Sequence, residues 1–256
     1  MIAPKLLSSA LLAAAFVASG CAIAPPPPRA AIAPPERRAV ERLRERASQF
    51  TALRTVADVS AQRGSERVRA RSIILAKAPA SLRFEALSPL GTPLLIATVH
   101  EGQITAYDAV NDEATVGPAT ADAAARLLGL PFEPEDLVGV LSGRPSPPRD
   151  LREVTLLPAD GDGASVNLVG AVNSVRVWMD LDTAVVNQMD IAGGRGDARI
   201  LFRRDPAGAL TGFDVTAGMG LIRSVVRYES PAWDAPIEDE RFVFAPPKGA
   251  KTRTIR

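Results

Sequence analysis

Arg83–Pro145 reads RFEALSPLGTPLLIATVHEGQITAYDAVNDEATVGPATADAAARLLGLPFEPEDLVGVLSGRP, and its two halves have different periods. At its start, counting Leu82 just before it, Leu82, Phe84 and Ala86 alternate with Arg83, Glu85 and Leu87. Leu94–Val99 and Gln103–Ala109 continue in the same style, with Gly91, Gly102 and Asn111-Asp112 between them. Short period-two runs divided by turn residues predict an antiparallel meander. The second half changes to helical spacing. Ala121–Leu128 follows Thr120, a natural N-cap, and stops at Gly129. Glu133–Leu141 has Pro134 in its first turn, acidic Glu133, Glu135 and Asp136 at its start, and Gly143 after its end.

The same alternation extends in both directions. Upstream, strands begin at Thr55, and Val68, Ala70, Ser72, Ile74 and Ala76 alternate with Arg69, Arg71, Ile73, Leu75 and Lys77. Downstream, seven more are expected: Arg152–Leu157, Ala164–Val169, Ser174–Asp182, Val185–Ile191, Asp197–Arg203, Thr211–Val215 and Leu221–Glu229. The total is about 11 strands in one domain, mainly β with helices (α+β), without an internal repeat. Ahead of the strands, Glu36–Phe50 places Val40, Leu43, Ala47 and Phe50 on one helical stripe. That helix either packs on the sheet or lies on a membrane surface. The acidic residues among its arginines favour packing.

The N-terminus reads as an address. Lys5 precedes the apolar run Leu6–Val17, and Ala18-Ser19-Gly20 leads to Cys21. This is the plan of a secretory signal, and the run is too short for a comfortable membrane span. Ala18-Ser19-Gly20-Cys21 resembles the bacterial lipobox, which implies acylation of Cys21 after removal of residues 1–20. Ala22 lacks the acidic retention signal, so the outer membrane, periplasmic face, is the expected location. Six of the fourteen residues in Ala22–Pro35 are proline. Residues 21–35 therefore read as an extended tether and 36–256 as the single domain.

Composition excludes much. Lys+Arg is 30 against 29 Asp+Glu, and aromatics are 5%, so neither charge nor stacking surface speaks for nucleic acid. One His and one Cys leave no intramolecular disulfide, no multi-thiolate or two-histidine metal site, and no nucleophile–base pair. No enzyme, cofactor or metal is expected. Gly193-Gly194-Arg195-Gly196-Asp197 reads as a hairpin turn, and His100 as a surface residue at a strand end. Leu90 stands out at the tip of Ser88-Pro89-Leu90-Gly91-Thr92-Pro93. Turning needs the Pro and the Gly but not the Leu, which either folds onto the core or projects toward a membrane or lipid.

Ser88–Gly91, Leu127–Pro131 and Leu141–Pro145, in this order, resemble the outer-membrane lipoprotein receptor LolB and the wider LolA/LolB-like superfamily. Phe242–Gly249 is similar to the terminal strand of that superfamily. The resemblance implies an incomplete, curved antiparallel β-barrel covered by helices, whose apolar hollow holds the acyl chains of lipoproteins. Leu82, Phe84, Leu94, Ile96, Val177 and Phe202 are then the expected cavity residues. Trp178 and Phe213 are further aromatic choices. Pro89, Leu90 and Gly91 form the expected membrane-insertion loop. The implied partners are lipoprotein acyl chains, a periplasmic lipoprotein carrier and outer-membrane lipid, with the protein a monomer. A lipid- or lipoprotein-sensing protein, or a structural envelope lipoprotein on a similar fold, is the alternative.

Overall fold

The computed structural model describes residues 26–128, 132–193 and 196–255. Residues 1–20, Cys21, Gly129 and Gly194-Arg195 lie outside them, as does part of Leu127–Pro131. Helix α1 spans Pro34–Ser48. Then come β1 (Ala52–Arg63), β2 (Glu66–Lys77), β3 (Ser81–Leu87), β4 (Pro93–His100), β5 (Gln103–Asp108) and β6 (Glu113–Pro118). Helices α2 (Ala121–Leu128) and α3 (Pro134–Ser142) follow. The second run is β7 (Glu153–Asp160), β8 (Gly163–Val169), β9 (Asn173–Met179), β10 (Val186–Gly193), β11 (Ala198–Arg204), β12 (Leu210–Ala217) and β13 (Ile222–Trp233). The chain closes with β14 (Lys251–Thr254).

All fourteen strands form one open, curved sheet in the order β14-β6-β5-β4-β3-β2-β1-β13-β12-β11-β10-β9-β8-β7. The first strand lies mid-sheet because β13 returns to pair with its free side, from Leu53↔Trp233 to Arg63↔Ile222. Every pair is antiparallel except β14 with β6.

The strand count of about 11 is corrected to fourteen. Glu113–Pro118 has few apolar residues and ends in Gly-Pro, so it resembles a turn in sequence. Lys251–Thr254 has no large apolar residue and is a strand only through its edge pairing. The expected terminal strand Phe242–Gly249 is instead an irregular strap, preceded by a 3-10 turn at Asp239–Phe242. Pro246-Pro247 removes the donors a ladder would need.

The two sheet faces differ. Alternation puts Leu53, Ala57, Ile74, Leu82, Val99, Val177, Ile200 and Val215 on the inner face, against Val40 and Leu43 of α1, Ala123 of α2 and Leu137 of α3. Helix α1 therefore packs, as its apolar stripe demands. On the outer face the strap buries Ile237 and Phe242 against Ala52 and Leu75. Lys77 Nζ donates to Ile237 O at 3.0 Å, and Arg83 Nη1 to Arg241 O at 3.1 Å, holding the strap down.

Strands β1, β3, β5, β8, β10 and β12 run toward one end of the sheet, here called the tip end. The N-terminal segment is tied at that same end: Ala30 N donates to Arg152 O at 2.8 Å, and Arg152 precedes β7.

Candidate functional site

An open cleft of about 800 Å³ lies between α1, α3, the segment Arg144–Asp150 and strands β9 and β10. Its walls follow from local chemistry. Pro134 starts α3, and Gly143 ends it at φ +63°, a left-handed position suited to glycine. The chain then doubles back. A Cβ on Gly139 would stand 3.1 Å from Pro145 Cα, so the glycine lets the returning wall lie close to the helix. Pro145, Pro147 and Pro148 keep that wall extended, without backbone donors to satisfy.

Phe50, Phe132, Val138, Val175, Met189 and Ile191 give the cleft an apolar lining, and Arg44, Glu135, Asp136 and Arg149 stand among its polar residues. Arg149 pairs with Glu135 at 2.5 Å. Burial, reinforced by Glu133 and Glu135, pushes the Asp136 carboxyl up to about 6, against the pull of the Glu133 N–H and Arg149. An apolar lining with a few charged groups suits an amphiphile, and the volume is in the range of small-molecule sites.

Arg204 lies beneath the end of α3 and donates to Val186 O at 3.2 Å and Gly143 O at 3.5 Å. Burial holds its guanidinium, and that of Arg46, below the ordinary range. Both sit by helix C-termini, where a cation is favoured.

The expected cavity residues do not form one group. Leu82, Val177 and Phe202 are buried in the inner core with Phe84 packed against it, and none of the four lines the cleft. Leu94 and Ile96 are on the opposite face. The pairs Ala86↔Leu95 and Glu85↔Ile96 put Leu95 with Phe84 and place Ile96 with Glu85. Leu94 and Ile96 therefore cannot share a hollow with the other four. Trp178 also faces outward, under the Arg176 guanidinium at 4.1 Å, with Nε1 donating to Asp160. The lining residues Val175, Met189 and Ile191 sit in strands recognised from sequence. Their exposure to a cleft depends on where α1 and the proline wall lie, which alternation does not encode.

Pro89-Leu90-Gly91 is held by Ser88, whose Oγ accepts from Leu90 N and Thr92 N at 3.2 Å each. Gly91 has φ +84°. Leu90 is 92% exposed. His100 is not the exposed residue expected: its side chain is 16% exposed. Its Nδ1 lies 2.9 Å from Ser81 Oγ, and its ring stacks on Phe242 under the strap. Neither residue lines the cleft.

No protein-family model and no curated protein matches the sequence. Solved structures do match. One is a domain from Vibrio parahaemolyticus described as outer-membrane lipoprotein-sorting, at TM-score 0.56 and 9% identity over 81% of this chain and 97% of that one. A LolA superfamily protein from Nitrosomonas europaea matches at TM-score 0.55 and 10% identity over 82% of this chain and 97% of that one. The fold is LolA-like. A DUF1329 family protein from Desulfovibrio piger shares it at TM-score 0.54 and 12% identity over 82% and 95% of the two chains. On this LolA-like fold the cleft lies between α1, α3 and the second half of the sheet.

Proposed function

We propose that the chain is a lipid-anchored, LolA-like carrier that takes acyl chains, foremost those of lipoproteins, into the cleft under α1 and α3. The observation that carries this reading is the apolar-lined cleft of about 800 Å³ on a LolA-like fold. An acyl tail would lie along Phe132, Val138, Val175, Met189 and Ile191, with its polar end among Arg44, Glu135 and Arg149. Burial of apolar area supplies about 25 cal/mol per Å², so a tail in an open cleft is held firmly yet can leave. No covalent step is required, and the protein acts as a monomer without cofactor.

In this reading residues 1–20 are removed, Cys21 carries the lipid, and the body faces the periplasm from the outer membrane. A periplasmic carrier supplies the cargo. Leu90 enters the bilayer as cargo is released.

One observation favours the alternative of a sensing or structural envelope lipoprotein. The inner face itself is tightly filled, with Leu53, Ala57, Val166 and Ile200 fully buried. Mass spectrometry of organic extracts from the purified full chain separates the two. The carrier reading expects non-covalently held acyl lipid. Its absence from extracts, with no uptake of added fatty acid, would leave the alternative.

A further inference from the structure

We infer that the whole tip end of the sheet is a docking face for an anionic lipid bilayer, built from several hairpins rather than from the Leu90 turn alone. Nine large hydrophobic residues are exposed among the described residues, and seven of them belong to this end. Leu90 lies between β3 and β4, with Leu94 just after it. Val110 lies between β5 and β6, Val172 between β8 and β9, and Met219 and Leu221 between β12 and β13. Val68 starts the descent of β2 after the Gly64 turn. At the other end the hairpins expose only Leu181 among the large hydrophobics.

Met219 is the most telling of these residues. Gly218, Met219 and Gly220 take φ of +57°, +55° and +87° in succession. Such backbone favours Gly or Asn, and a polar Asn would serve a solvated turn well. Here it carries a thioether that is 90% exposed.

The neighbouring hairpins are locked together, since Gly64 N donates to Leu221 O at 3.0 Å. Around them Arg63, Arg67 and Arg223 are exposed and make no ion pair among the described residues, and Glu66 is the only acidic residue in 63–68 and 218–223. Arg67 and Arg223 flank Gln62 on one face. The exposed apolar side chains stand on separate hairpins along one end of the sheet. A bilayer surface can receive them together, with the arginines at anionic headgroups. The Pro27–Ala30 segment is also fastened at this end, through Arg152.

This inference is independent of what the cleft holds. The test uses the full chain with Cys21→Ser, which removes the sole native thiol, and single cysteines introduced by Met219→Cys, Val110→Cys and, as the control, Leu181→Cys, none of which lines the cleft. Each carries an environment-sensitive fluorophore and is titrated with phosphatidylcholine vesicles with or without phosphatidylglycerol and a lipid-borne quencher. Labels at 219 and 110 are expected to shift to the blue and be quenched, while the label at 181 stays unchanged. Adding Arg63→Glu, Arg67→Glu and Arg223→Glu is expected to raise the half-saturating lipid concentration about tenfold or more, from about 1 kcal/mol per lost arginine. Equal quenching at 181 and 219, no quenching at 219, or indifference to phosphatidylglycerol would each overturn the inference. Fatty-acid uptake by the same proteins reads the cleft separately. Circular dichroism identifies a variant that has unfolded, in which case Leu221→Cys replaces Met219→Cys.

Discussion

Asp136→Asn should stabilise the protein at neutral pH, and the gain should disappear in acid. Asp136 is the third residue of α3, within reach of the Glu133 N–H, with Glu133 and Glu135 as acidic neighbours. Its carboxyl is raised from 3.8 to about 6. The folded state therefore binds more protons than the unfolded chain between these values, and stability falls as pH rises through that window. Above it the penalty is constant, at most about 3 kcal/mol from 1.36 kcal/mol per decade, and nearer about 1–2 after solvent at the cleft mouth is allowed for. Asparagine keeps an oxygen for the Glu133 N–H and removes the charge. Melting at pH 7.5 should rise by roughly 2–8 °C for a domain of this size, and at pH 4 the two proteins should melt together. An equal gain at both pH values, or a loss at pH 7.5, would mean that Asp136 is not a buried, repelled carboxylate.

Leu90→Glu should melt as the parent does and take up acyl probe normally, because Leu90 touches neither core nor cleft. It should transfer cargo to liposomes poorly, while Leu90→Phe transfers well. Tyr228→Phe should cost about 1–2 kcal/mol in urea unfolding, since Tyr228 Oη donates to Leu141 O at 2.7 Å and its loss strands a carbonyl near the end of α3. Gly117→Ala should release the C-terminal strand and expose it to protease, because a Cβ there would stand 2.6 Å from Ile255 O.

Much of the fold is legible in period-two alternation, since that pattern separates the inner and outer faces of β3, β9 and β11. Alternation fails where a strand owes its existence to a neighbour, as β14 does to β6. The site is less legible. Leu94 and Ile96 look as apolar as Leu82 and Phe84, but the register puts them on the other face, which is apolar because Ile237 and Phe242 cover part of it. A strap returning from the C-terminus leaves no mark on the strands it covers. Cleft residues such as Val175 and Ile191 are likewise ordinary strand residues until Gly139 and three prolines set the opposing wall. Leu90 could be singled out because a hydrophobic residue without a turn-forming role is visible from sequence. Met219 is harder to see, because its anomaly lies in its backbone angle.

Titration of a fluorescent fatty-acyl probe into the full chain and into Ile191→Trp tests the central claim most directly. Ile191 lines the cleft from β10 and is only partly buried, so an indole there occupies the space proposed for the tail. The account predicts saturable binding to the parent protein and a loss of about tenfold or more, or about 1.4 kcal/mol, in a variant that still melts cooperatively. Probe binding of equal strength in both proteins, or none in the parent, would contradict it.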